Sequence, residues 1–123
     1  MPNTPVIAII DDDQLVREAL TSLVRSMGYA AVAFECAEDF LKSKRRRSVS
    51  CVIAGVQMPG MTGLELYCRL SASAEPIPTI LITAYHEDGT RERALAAGVI
   101  GYLSKPFDED DLTCVRSALT TGS

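Results

Sequence analysis

Val6-Ile7-Ala8-Ile9-Ile10-Asp11-Asp12-Asp13 is the stretch on which the fold turns. Its five apolar residues, four of them β-branched, are too few for a helix of ordinary length. They are also too uniformly apolar for a strand with one wet face. Such a run suits a strand in the middle of a parallel sheet, covered on both sides. Three acids then follow without a break at the end of the strand.

Outward from this strand the pattern alternates. Residues 14–27 place Leu15, Ala19, Leu20, Leu23, Val24 and Met27 at helical spacing, and Gly28 is a natural helix stop. Residues 30–34 read as a second, weaker strand, and 37–43 as a short helix with Phe40 and Leu41 inward. A third strand over 51–54 is followed by a loop carrying Pro59, Gly60 and Gly63. Residues 64–70 open a third helix, 79–83 form a fourth strand, 91–97 a fourth helix closed by Gly98, and 100–103 a fifth strand. The last helix spans 108–119, with acids in its first turn where they complement the dipole and an apolar stripe of Leu112, Val115, Ala118 and Leu119. Strand and helix repeated five times call for a parallel sheet with helices on both faces. No internal repeat or interdomain linker interrupts the pattern. The expectation is a single domain over 1–123 with no output domain.

Composition narrows the class. The 123 residues are 47% hydrophobic with a net charge of −4. That supports one real core and gives no basic footprint for nucleic acid. No window reaches the roughly 18 apolar residues of a membrane span, and the N-terminus lacks a basic signal-peptide region. A cytoplasmic location follows as the expectation. Cys36, Cys51, Cys68 and Cys114 form no C-x-x-C pair and are expected to be free, mostly buried thiols. His86 is the sole histidine, too little for a zinc site or a Ser-His-Asp triad. The basic run Lys42-Ser43-Lys44-Arg45-Arg46-Arg47 reads as a solvated loop at a helix end, with docking of an acidic partner as the alternative.

Ligands of open parallel sheets bind outside the carboxyl ends of the strands. The first strand delivers Asp11, Asp12 and Asp13 there, the third ends in Gly55, the fourth in Thr83, and the fifth leads to Lys105. Three adjacent acids repel one another, and each raises its neighbour's pKa. Asp13 fits the N-cap of the helix that follows. The other two suit a hard cation such as Mg²⁺. Lys105 is either a partner for those acids or a bound phosphoryl group, or a solvated loop cation. Thr83 bonds a phosphoryl oxygen or caps a turn.

Four segments together match a family: Ile9-Ile10-Asp11-Asp12-Asp13; Val56-Gln57-Met58-Pro59-Gly60-Met61-Thr62-Gly63-Leu64-Glu65-Leu66; Leu81-Ile82-Thr83-Ala84; and Gly101-Tyr102-Leu103-Ser104-Lys105-Pro106-Phe107. In order and spacing they closely resemble the receiver domain of bacterial two-component response regulators. The resemblance covers essentially the whole chain. It implies a flavodoxin-like, doubly wound α/β fold with strand order 2-1-3-4-5. It implies that Asp11 and Asp12 hold Mg²⁺ with the backbone carbonyl of Gln57, and that Thr83 is the switch hydroxyl, Tyr102 the aromatic switch and Lys105 the phosphoryl contact. It also implies a sensor histidine kinase or another two-component protein as partner, met through the fourth helix, fifth strand and fifth helix. Neither nucleic acid nor membrane is expected as a direct partner.

One position departs from the pattern. The family's phosphoacceptor is an aspartate directly before the Val-x-Met-Pro segment, where this chain has Gly55. Glycine supplies neither a nucleophile nor a metal ligand. The expectation is a domain that acts by protein–protein contact, is not an enzyme, does not form the aspartyl phosphate and binds Mg²⁺ weakly. Two other classes share parts of the pattern. A haloacid-dehalogenase phosphatase would use Asp11 as nucleophile and Asp13 as acid/base, with Thr83, Lys105 and Asp110-Asp111. It leaves the Met-Pro-Gly-Met-Thr-Gly segment unexplained. A flavodoxin-type flavin carrier needs a phosphate cradle after the first strand, where three aspartates would repel the ligand.

Overall fold

The computed structural model describes residues 4–44, 48–73, 76–83 and 88–104. Strands β1 (Val6–Ile10), β2 (Ala30–Phe34), β3 (Cys51–Gly55), β4 (Thr79–Thr83) and β5 (Gly101–Ser104) alternate with helices α1 (Gln14–Ser26), α2 (Ala37–Lys42), α3 (Gly63–Ser71) and α4 (Asp88–Ala97). All strand pairs are parallel, in the order β2-β1-β3-β4-β5. This is the order the family resemblance implies. The helix expected over 108–119, with Leu112 and its stripe, lies outside the described residues, as do Arg45, Arg46, Arg47 and His86.

β1, β3 and β4 are sandwiched on both faces, which is why they read as unbroken apolar runs. Ala8, Ile10, Val52, Ala54 and Leu81 face one core, which Phe40 of α2, Leu66 and Leu70 of α3 and Ala94 of α4 complete. Ile7, Ile9, Cys51, Ile53, Ile80 and Ile82 face the other, covered by Leu20 and Val24 of α1. Consecutive strand residues thus serve opposite cores, as the period of two requires.

α1 corrects the sequence reading. Leu15 is 75% exposed, and Ala19 is exposed as well. At about 100° per residue, Val16, Leu20, Leu23, Val24 and Met27 fall within one arc, and Leu15 and Ala19 lie beyond its edge. The inward stripe therefore begins at Val16, which packs on the α1 core. The helix stops as expected but one position shifted. Met27 is the C-cap, and Gly28 follows it with φ +94°, the left-handed turn that ends many helices. The thiols differ too: Cys51 is buried, Cys36 half-buried and Cys68 exposed. Cys68 sits on the outer side of α3, away from the buried Leu66 and Leu70. Cys114 lies outside the described residues.

Candidate functional site

Register places the chemistry. Ile10 pairs with Phe34 and Ala54, and Gly55 pairs with Ile82. The carboxyl ends of β1, β3 and β4 are therefore level. Asp11 follows in register beside Gly55, whose partner on β4 is Ile82, and Thr83 stands one residue further along β4, with neighbouring strands about 5 Å apart. The N–H of Asp11 donates to Phe34 O at 3.2 Å and that of Val56 to Ile82 O at 2.8 Å, so pairing continues just past the strands.

The three acids have separate roles. Asp11 is only 2% exposed. Its Oδ1 accepts the N–H of Asp13 at 2.9 Å, and its Oδ2 lies 2.7 Å from where a Cβ on Gly55 would stand. Asp12 is exposed. Asp13 caps α1: its Oδ1 accepts the N–H of Leu15 at 2.9 Å, the capping role expected of it. Repulsion is relieved because the three side chains leave in different directions.

Gly55 sits where backbone approaches closely. A Cβ on Gly63 would collide with the Gly55 carbonyl oxygen, and the N–H of Gly63 donates to Val56 O at 3.2 Å. The start of α3 is thereby drawn against the end of β3. Met58 is buried beside this junction, with its Cγ 3.5 Å from the same Cβ position on Gly55, and Gln57 is exposed on the rim. Thr83, the last residue of β4, is 3% exposed. Tyr102 is half-buried against the α2–α3–α4 core. Lys105 lies outside the described residues.

Two residues that sequence reasoning did not single out brace the rims. Arg17 on α1 donates from Nη1 to the main-chain oxygen of Asp11 at 2.7 Å, and its Nη2 is 4.0 Å from Glu35. Glu38 on α2 accepts the N–H of Met61 at 3.3 Å. Neither carries a motif. The first bond spans six residues and the second 23, so only the fold reveals them.

Whether these residues suit Mg²⁺ can be tested on the donors. The ion favours near-octahedral oxygen ligation through one or two carboxylates plus waters or phosphate oxygens. Asp11 already spends one oxygen on Asp13 N–H, Asp12 points to solvent, and Gly55 adds no side chain. Among the described residues no group of three or more His, Cys, Asp or Glu side chains is arranged to hold a metal. With Asp13 capping α1, the described side chains thus offer two carboxylates at this end of β1, Asp11 and Asp12, and no third.

Sheet order, level strand ends and the acid pair at β1 are all features of one family. Residues 7–115 match the family model described as the response regulator receiver domain. The chain belongs to that family. The receiver is 40% identical over 115 residues to the response regulator protein TodT of Pseudomonas putida, covering 93% of this chain and 51% of that protein. It is 35% identical over 114 residues to the transcriptional regulatory protein FixJ of Bradyrhizobium diazoefficiens, covering 92% and 56%. The chain thus spans about half the length of the curated relatives it matches. Among solved structures, a response regulator receiver protein from Burkholderia phymatum superposes with a TM-score of 0.81 at 38% identity, covering 95% of this chain and 96% of that one. The response regulator StyR gives 0.85 at 38% identity, covering 96% and 60%. A receiver domain from Clostridium thermocellum gives 0.88 at 20% identity, with 96% of each covered, a likeness of fold. The dehalogenase alternative gains no support: the Asp13 carboxylate is committed to capping α1, and Asp110 and Asp111 lie outside the described residues. No described helix is long and apolar enough to cross a membrane.

Proposed function

We propose that this receiver is a two-component signalling module that does not take the phosphoryl group, because Gly55 stands in the acceptor's place. The observation that carries the reading is the position of Gly55. It ends β3, between Asp11 on β1 and Thr83 on β4, and Asp11 Oδ2 lies against the face from which an acceptor side chain would project. A site without that side chain lacks both the nucleophile and one metal ligand. Asp11 and Asp12, with the Gln57 carbonyl, are the residues left to attract Mg²⁺, and their affinity is low.

Signalling then runs through contact. Its partner is a sensor histidine kinase or another two-component protein, met on α4, β5 and the segment 108–119 that the sequence pattern reads as a helix. Leu95 on α4 and Ile100 before β5 are exposed apolar residues on this side of the sheet, which supports a contact face. Thr83, Tyr102 and Lys105 remain in the sequence, so a partner that binds one conformation better than another still shifts the balance between them. The domain performs no turnover, enters no membrane and contacts no nucleic acid directly.

The test pairs the protein with Gly55→Asp. Each is treated with Mg²⁺ and acetyl phosphate and weighed intact. The phosphoryl mass is expected on the variant alone. Phosphorylation of the unaltered chain at Asp11, Asp12 or Asp13 would overturn the reading.

A further inference from the structure

Glu38 reaches out of its own helix to the β3–α3 loop. It lies in the first turn of α2, half-buried. Its Oε2 accepts Met61 N–H at 3.3 Å and lies 2.7 Å from where a Cβ on Gly60 would be. Gly60 has φ +81°, a conformation in which side chains are strained, and here the carboxylate fills the space a side chain would need. The loop's end is fixed by Thr62 and Glu65 and its beginning by the β3 pairing. Its middle is the part that Glu38 reaches, three residues beyond Gln57.

We propose that Glu38 is a positioning residue of the receiver pocket. Its carboxylate holds the Gly60–Met61 turn against α2 and thereby sets the Gln57–Met58 rim over Gly55. A backbone N–H bonded to a carboxylate is a charge-assisted contact, and supporting bonds of this kind orient the groups a site uses. Glu38 also complements the α2 dipole, and the two roles separate by substitution. Glutamine keeps an acceptor oxygen for Met61 and loses the charge. Alanine loses both.

The test is amide exchange and chemical shifts by NMR on the unaltered chain, E38A and E38Q. In E38A the Met61 amide should exchange about tenfold faster, the scale of one lost hydrogen bond. The Gln57 and Met58 amide signals should move, while Ile53 and Leu81 stay protected. E38Q should return all of these toward the unaltered values. If E38A loses the Ile53 and Leu81 protection, E38M, which retains the stem, takes its place. An unchanged Met61 rate overturns the proposal. So does a faster Met61 with unmoved Gln57 and Met58, and so does an E38Q that behaves like E38A, which would leave only the dipole role. A second arm, which rests on the receiver reading above, measures Mg²⁺ binding in the Gly55→Asp background. Adding E38A should raise Kd about tenfold and adding E38Q should not. Equal affinities overturn the proposal. Failure of Gly55→Asp itself to bind Mg²⁺ counts against the acceptor reading, and the exchange arm still decides Glu38.

Discussion

At the scale of single residues, the pocket is shaped by backbone that comes unusually close. Gly63 must stay small because a Cβ there would meet the Gly55 carbonyl oxygen and come within 3.0 Å of a Leu81 methyl. Backbone on one side and a core side chain on the other leave little room to yield. Gly63→Ala should therefore lose about 2–3 kcal/mol, the upper part of the overpacking range, seen as a lower urea midpoint at unchanged slope. Gly28→Ala is a useful contrast. It meets nothing within 4 Å but must hold φ +94°, so its cost should be near 1 kcal/mol. Equal losses in the two variants would mean that the β3–α3 approach relaxes freely. At this scale the residue types were legible, and their directions were not. The run Asp11-Asp12-Asp13 announced a cap and a pocket. That Asp11 turns inward over Gly55 while Asp12 points out depends on β3, which joins β1 only in the folded sheet.

At the scale of elements, local chemistry decides where helices begin, and packing decides which side they bury. Thr62 and Glu65 form a reciprocal cap on α3: Glu65 N–H donates to Thr62 Oγ1 at 3.2 Å, and Thr62 N–H donates to Glu65 Oε1 at 2.9 Å. Thr62→Ala should cost about 1 kcal/mol. The hydrogen bond from Thr62 N–H, helped by Thr62's side chain and the charge of Arg69, lowers the Glu65 pKa below its ordinary 4.5. A depressed carboxyl pKa adds stability above the unfolded value and loses it as pH falls through the folded one. The stability of the unaltered chain against denaturant should therefore fall between about pH 5 and the acid limit more than that of Glu65→Gln, and parallel curves would refute the cap's contribution. α1 shows where pattern reading stops. Leu15 and Ala19 share helical spacing with the buried residues yet lie outside the arc, because periodicity gives the width of a stripe and tertiary contact gives its centre. Leu20→Ala should accordingly cost about 2–5 kcal/mol, and Leu15→Gln should stay within about 0.5 kcal/mol.

At the scale of the whole molecule, three apolar strand runs and their turn residues were enough to read an α/β sheet, and strand order came from the resemblance of four short segments. What no segment states is how the sheet's carboxyl edge responds to an ion, since that is a sum over Asp11, Asp12, Gly55 and the Gln57 rim. A ligand that binds only the folded chain raises stability by RT ln(1 + [L]/Kd), about 1.4 kcal/mol at ten times Kd. For a domain of this size that lifts the melting temperature by roughly 5 °C. If Gly55 has removed a ligand from the site, millimolar Mg²⁺ should leave the unaltered chain's melting temperature unmoved. In Gly55→Asp the new carboxylate stands against Asp11, whose Oδ2 is 2.7 Å from the added Cβ, so like charges crowd and the metal-free variant should melt lower. Mg²⁺ neutralises that crowding and should return the variant to or above the parent, with Ca²⁺ less effective because it favours more ligands at longer range. A melting temperature that rises with Mg²⁺ equally in both chains would place the ion elsewhere on the molecule and detach it from the β1–β3 pocket.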